Sequence, residues 1–197
     1  KDNWGFNLDI ERGYWVPESD QDSDNPEDQD PVSPHQTKVI PYVRDLRNCL
    51  LFEPVTPLNI EIMASLQSAL KKAIQVEYQL EENEIAVEPL PSSEKRRRLL
   101  FYEASEGGAG VLRRLVDEPR ALPNLAWTAL EICHYDPHTG EDLRHAPHSK
   151  EECEAACYDC LMSYSNQPDH LLMRRDLLKP YLEKLSCSEV KVSPGEL

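Results

Sequence analysis

The chain has 197 residues, enough for one domain of ordinary size or two small ones. Its net charge is -15, from 36 acidic against 21 basic residues, which argues against a stand-alone nucleic-acid binder with a basic surface. No apolar run approaches the ~20 residues that span a bilayer and no basic-then-apolar leader opens the chain, so no membrane partner is implied and a reducing cytoplasm is the expected setting.

The chain opens at Lys1 in sequence that already looks structured, so we expect a fragment from the end of a longer protein. Asn3–Val16 (NWGFNLDIERGYWV) predicts a hairpin, because Trp4, Phe6, Leu8 and Ile10 alternate and Gly13 can supply the turn. Pro17–Pro31 carries seven acidic residues and no basic one. Such a segment cannot bury enough apolar surface to offset its ordering entropy, and a solvated, disordered loop is expected over 17–38. Val39–Phe52 reads as one or two strands, with Cys49 as a small buried hydrophobe.

Leu58–Leu80 predicts the clearest helix, with Ile62, Leu66, Ala69, Leu70, Ala73 and Ile74 on one stripe. Glu84–Leu90 and Arg97–Glu103 read as strands, the second apolar enough at its centre to lie inside a sheet. The glycines Gly107, Gly108 and Gly110 then lead into a helix over Val111–Glu118, which Pro119 ends. Pro123 suits the first turn of the next helix, LPNLAWTALEIC. A polar loop, His134–Lys150, holds His134, His138, His145 and His148. A last helix is expected over about Asp169–Leu185, kinked or broken at Pro180, and a short strand over EVKV in the tail. The fold class read from this order is α/β of the α+β kind, a small mixed sheet with packed helices and a four-cysteine zinc-binding helical subdomain. It divides into a β-rich segment 1–57, an α/β core 58–132 and a zinc subdomain 133–187.

Cys153, Cys157 and Cys160 place three thiols within one or two turns. In a reducing compartment that clustering suggests a metal rather than disulfides. Zn2+ takes four Cys or His ligands at about 2.0–2.3 Å, and short spacings supply two or three from one local turn. Cys133, bracketing the His-rich loop, is the natural fourth; one of the four histidines could replace it, or the thiols could hold no metal. A filled four-ligand site has no open position and reads as structural. Cys187 lies a whole helix further on and reads as a bystander.

The glycine turn exposes backbone N–H groups before a helix, an anion site for a nucleic-acid phosphate or for a carboxylate of the fold such as Glu103 or Glu106. It is not a P-loop, since no Gly-x4-Gly-Lys-Ser/Thr pattern occurs. With Arg113, Arg114, His170 and Arg174, the residues Gly107, Gly108 and Gly110 form the candidate nucleic-acid contact. Lys95-Arg96-Arg97-Arg98 and Arg174-Arg175 are further basic clusters, read one by one as ordinary exposed charges.

The helix with MASLQSALKKAIQ, the run LLFYEASEGGAGVLRRL, Cys133 and CEAACYDCLMSYSNQPDH together resemble the MrfA-type zinc-binding (MZB) domain, over roughly residues 58–185. The resemblance implies Cys133, Cys153, Cys157 and Cys160 on one structural Zn2+. It implies a C-terminal accessory role in superfamily 2 DNA helicases or in components of the DISARM anti-phage defence system, with DNA met through the parent protein. The ATPase motor would lie upstream or in a partner subunit. Helicase ATP-binding and strand-separating motifs are absent here, so the catalytic role, ATP-dependent DNA unwinding, is expected of the parent and not of this part. Two other classes stay open: a protein-interaction module without DNA contact, and a metal-dependent hydrolase or nuclease using the His-rich loop.

Overall fold

The computed structural model describes residues 5–16, 36–104 and 107–193. By contact the chain divides into two compact units, Lys1–Leu46 and Arg47–Leu197. The acidic run Pro17–Pro31 lies outside the described residues.

The first unit is a three-stranded antiparallel sheet of order β2-β1-β3, with β1 at Phe6–Asp9, β2 at Trp15–Val16 and β3 at Gln36–Val39. The predicted hairpin is present. Asp9 makes its turn, its carboxylate accepting from the N–H groups of Glu11 (3.0 Å) and Arg12 (3.1 Å). Phe6 stacks on Trp15 across the pair, with ring centroids 3.7 Å apart. Of the one or two strands expected over Val39–Phe52, two are present, in different units, and β3 begins three residues earlier than predicted, inside the stretch 17–38 expected to be a disordered loop.

The second unit holds β4 (Cys49–Phe52), α1 (Ile60–Tyr78), β5 (Ile85–Leu90), β6 (Arg98–Glu103), α2 (Val111–Asp117), α3 (Ala121–Ile132) and α4 (Arg175–Ser186), with a 3-10 segment over Tyr164–Leu172. Asn59 caps α1, its side chain accepting from the Ile62 N–H at 2.8 Å. The apolar stripe of α1 is buried as predicted, from Ile62 to Ile74. The sheet has order β4-β6-β5 and is antiparallel, with Leu50 opposite Phe101 and Val87 opposite Phe101 on either side. Leu99, Phe101 and Glu103 alternate into the interior from the central strand. One apolar cluster runs from α1 through β5, β6, α2 and α3 to α4, and it includes Cys133, Cys153 and Cys160.

Four local expectations are corrected. Cys49 is exposed: at the edge of the sheet its side chain takes the open face, one residue out of phase with the buried one. The last helix does not start near Asp169. Residues Tyr164–Leu172 form a tighter 3-10 run containing Pro168, and α4 begins only at Arg175. Of the kink or break expected at Pro180, the break does not occur, since that helix runs through Pro180 to Ser186. The EVKV stretch forms no strand; Val190 donates one backbone bond to Pro119 at 3.1 Å. Among the described residues, no helix is long and apolar enough to cross a membrane.

Candidate metal centre

The C-terminal end of α3 sets the first donor. Tyr135 N–H reaches the Leu130 carbonyl at 3.0 Å and His134 N–H reaches that of Glu131 at 2.9 Å, which satisfies two orphan helix carbonyls. This closing motif needs a left-handed residue between helix and exit, and His134 takes it at φ 62 where glycine is usual. The loop then returns on itself. Asp136 accepts from His138 and Thr139 N–H, Gly140 turns with φ 71, and Leu143 N–H bonds the His134 carbonyl at 2.9 Å.

The other three donors come from the cysteine turn. Cys157 and Cys160 share a tight turn in which the N–H groups of Cys160 (3.2 Å) and Met162 (3.0 Å) both bond the Cys157 carbonyl. The Cys157 N–H points at the Cys160 sulfur at 3.0 Å, the kind of backbone donor that tempers negative charge on a thiolate. Cys153 enters as its N–H bonds the Arg144 carbonyl at 2.6 Å.

These elements bring His134, Cys153, Cys157 and Cys160 together, with all four ligand atoms within 4.8 Å of one another. The Cys160 sulfur lies 3.6 Å from that of Cys153 and 3.5 Å from that of Cys157, and His134 Nε2 lies 3.2 Å from the Cys157 sulfur. A tetrahedron of about 2.3 Å Zn–S bonds has S–S edges of roughly 3.8 Å, so the set is close to the size of one zinc ion. Burial, then the positive charge of Arg175, hold His134 below its ordinary pKa and leave its imidazole neutral, the form that binds metal. Burial pushes the thiols of Cys133, Cys153 and Cys160 above their ordinary value. Only a bound dication makes thiolates the stable form there. The donor set therefore fits Zn2+ both in size and in chemistry.

Cys133 stands beside this set rather than within it. Its side chain is wholly buried in the cluster shared with Cys153 and Cys160. Two other loop histidines are engaged elsewhere: His138 lies edge-on to Trp127, and His145 Nδ1 faces the Ala146 carbonyl; His148 does not belong to the donor set either. Cys187 is exposed beyond α4.

Two cations support the centre, and neither is legible from its local sequence. Lys72 of α1 donates to the carbonyls of Tyr158 (3.1 Å) and Met162 (2.9 Å). Burial pulls its ammonium below the ordinary value, and the sulfurs of Cys160, Cys157 and Cys133 oppose that pull. Arg175, almost fully buried, donates from Nε to the Cys153 carbonyl (2.9 Å) and from Nη1 to the Cys133 carbonyl (3.2 Å). It also grips Asp142 at 2.8 and 3.0 Å and lies over the Tyr135 ring at 5.0 Å. One side chain thereby ties α4 to the end of α3, the His-rich loop and the cysteine turn. The sequence reads Arg174-Arg175 as surface charge; the buried role depends on Asp142, 33 residues away.

The glycine turn holds a carboxylate of the protein itself. Glu103 accepts from the N–H groups of Gly110 (3.0 Å) and Leu112 (3.0 Å) and from the Asn48 side chain (3.1 Å). Gly108, at φ 58, leaves room for it, since a Cβ there would sit 1.7 Å from Glu103 Oε2. The remaining candidate nucleic-acid residues are not gathered on one element, and the arginines carry their own counter-charges. Arg113 pairs with Asp117, Arg114 with Glu118 and Arg174 with Asp176. His170 Nε2 lies 3.0 Å from the Ser163 carbonyl and from Asn166 Oδ1. Arg96, from the basic cluster before β6, is buried against Asp169 and Gln67.

A comparison with known families matches residues 66–161 to the MrfA Zn-binding domain, MZB. The match starts inside α1 and ends one residue after the last cysteine of the cluster. No curated protein and no solved structure matches the chain.

Proposed function

We propose that this chain, which carries a zinc-binding MZB domain at residues 66–161, is the metal-braced accessory part of a DNA helicase or of a helicase-associated phage-defence protein. The observation that carries this reading is the closed donor set. Four protein donors within 4.8 Å, three of them buried, leave an ion no position for water or substrate. Its work is then to hold the domain in shape against a motor. A hydrolase or nuclease needs an open position, so the closed set weighs against that class.

A separate observation favours protein contact over direct nucleic-acid contact. Glu103 fills the glycine turn, the arginines near it are paired, and the chain carries a net charge of -15. The domain thus braces the motor through protein surfaces, while the parent's other parts meet DNA. The thiol ligands suit a reducing cytoplasm.

Fluorescence anisotropy of the 197-residue chain with single-stranded and forked DNA at about 50 and 200 mM salt tests this, because phosphate contacts weaken steeply over that range. We expect no salt-sensitive binding. Tight binding that is lost at the higher salt, and weakened by Arg113→Ala with Arg114→Ala, would return the glycine turn and its arginines to the DNA interface.

A further inference from the structure

The strand β5 is an edge of its sheet, pairing with β6 alone, and it lines a cleft of about 540 Å3. Along an antiparallel pair, hydrogen-bonded and non-bonded residue pairs alternate. Ala104 N–H bonds the Glu84 carbonyl at 2.8 Å, so with Ala86 opposite Tyr102 and Glu88 opposite Leu100 the even-numbered residues of β5 serve the sheet. The N–H and C=O of Val87 therefore point away from β6. Gln67 of α1 marks the direction, its side-chain nitrogen lying 3.5 Å from the Val87 carbonyl. Pro89, which has no N–H to offer, blunts the far end of this edge. A bare edge in water would need no explanation. This one shares its cleft with α1, through Gln67 and Lys71, and with the start of the 3-10 segment, through Ser165 and Asn166. Leu80, Tyr158 and Met162 add apolar surface. Most charges in the cleft are committed: Lys72 to two carbonyls, Asp169 to Arg96, and Glu82 to the Ser165 hydroxyl at 3.2 Å. Glu88 is exposed to solvent. Lys71 is half-buried and makes no ion pair or hydrogen bond among the described residues.

We propose that this cleft takes an extended peptide segment of a partner protein, which adds a strand to β5 at Val87 and sets an acidic side chain against Lys71. An open row of backbone donors and acceptors is matched best by another backbone, and a half-buried cation without a partner is matched best by a carboxylate. The proposal names a surface for protein contact and rests on the protein-contact reading of the domain. It is independent of which residues hold the zinc.

Random heptapeptides displayed on phage are selected against the 197-residue chain, and the consensus peptide is resynthesised for affinity measurements. Selected peptides should carry Asp or Glu among β-branched residues. Methylating the peptide's backbone nitrogens one at a time should weaken binding about tenfold at alternate positions only, which is the period of a strand, and this reading needs no protein variant to fold. Lys71→Glu should weaken binding by a similar factor and, used as the bait, should select Lys or Arg in place of the acidic residue. Val87→Pro removes an N–H that the sheet does not use, and should also weaken binding about tenfold. Failure to select any peptide overturns the proposal, as does a methylation series without alternation, or binding that Lys71→Glu leaves unchanged. Salt-sensitive DNA binding by the same chain would instead sink the protein-contact reading beneath it.

Discussion

Glu103 is 2% exposed, with its carboxylate inside the turn that starts α2. Burial alone would raise its pKa, but hydrogen bonds from Leu112 N–H, the Asn48 side chain, and Gly110 and Val111 N–H together hold it below the ordinary value. A depressed folded-state pKa gives stability that is complete above the unfolded value of about 4.3 and is lost as pH falls through the folded one. Glu103→Gln should therefore cost about 2 kcal/mol at pH 7 and much less near pH 3, as urea unfolding at the two pH values would register. Gln79 gives a prediction of the opposite sign. It ends α1 at φ 54, where its N–H and that of Leu80 close the helix onto Gln75, and glycine is the residue that conformation favours. Gln79→Gly should stabilise the chain by roughly 0.5–1 kcal/mol, seen as a higher Tm. Single residues of this kind were partly legible: the glycine turn announced an anion, and Glu103 was one of the two fold carboxylates it could hold. Nothing in the sequence around Gln79 or His134 announces a helix end of this kind, because neither is the glycine that usually takes the left-handed position.

At the scale of elements, two buried arginines do the joining. Arg96 links the chain entering β6 to α1 through Gln67 and to the 3-10 segment through Asp169, with its Nε on the Ser93 carbonyl at 2.8 Å. Removing one partner of a buried ion pair strands the other, so Arg96→Ala should cost about 3 kcal/mol or more in denaturant unfolding. Arg175 acts on the centre instead. Arg175→Lys keeps the charge but not the planar fork that spans two carbonyls and a carboxylate. Zinc affinity should fall by roughly 10- to 100-fold in that variant, measured by competition with a chromophoric chelator. Elements with strong local periodicity were legible: α1 from its stripe, β6 from its apolar centre. The start of α4 was not. His170–Arg175 carries helical residues, yet its first three belong to a 3-10 run containing Pro168, and Arg174 N–H is taken by the Ser65 hydroxyl at 2.8 Å. That tertiary bond has no trace in the local sequence.

For the whole molecule, the metal centre and the apolar core are one structure. Leu161 lies between cysteines and α1, and the Ser68 hydroxyl of α1 donates to its carbonyl. Chelating the zinc at neutral pH should therefore remove about 4 kcal/mol and lower Tm by roughly 10 °C, with protease sites opening first between 134 and 162. Three of the ligands were legible because they are close in sequence, so spacing alone brings them together. The fourth was not, since Cys133 and His134 are neighbours and the choice between them depends on how a helix ends. Lys72, Asp142 and Arg175 come from distant positions and meet only once the core has closed.

The shared core also bears on how the chain matures. A metal lobe hung outside a finished domain could be filled late, by a chain already folded. Here α3 and α4 pack against each other, and both share one apolar cluster with Cys133, Cys153 and Cys160, so the interior cannot close around empty thiols without burying them as protonated groups. Newly made chains would then wait for zinc before they hide their apolar surface. In a zinc-starved cell the protein's abundance, more than its activity, would be the first quantity to fall, because incompletely closed chains are what proteases remove.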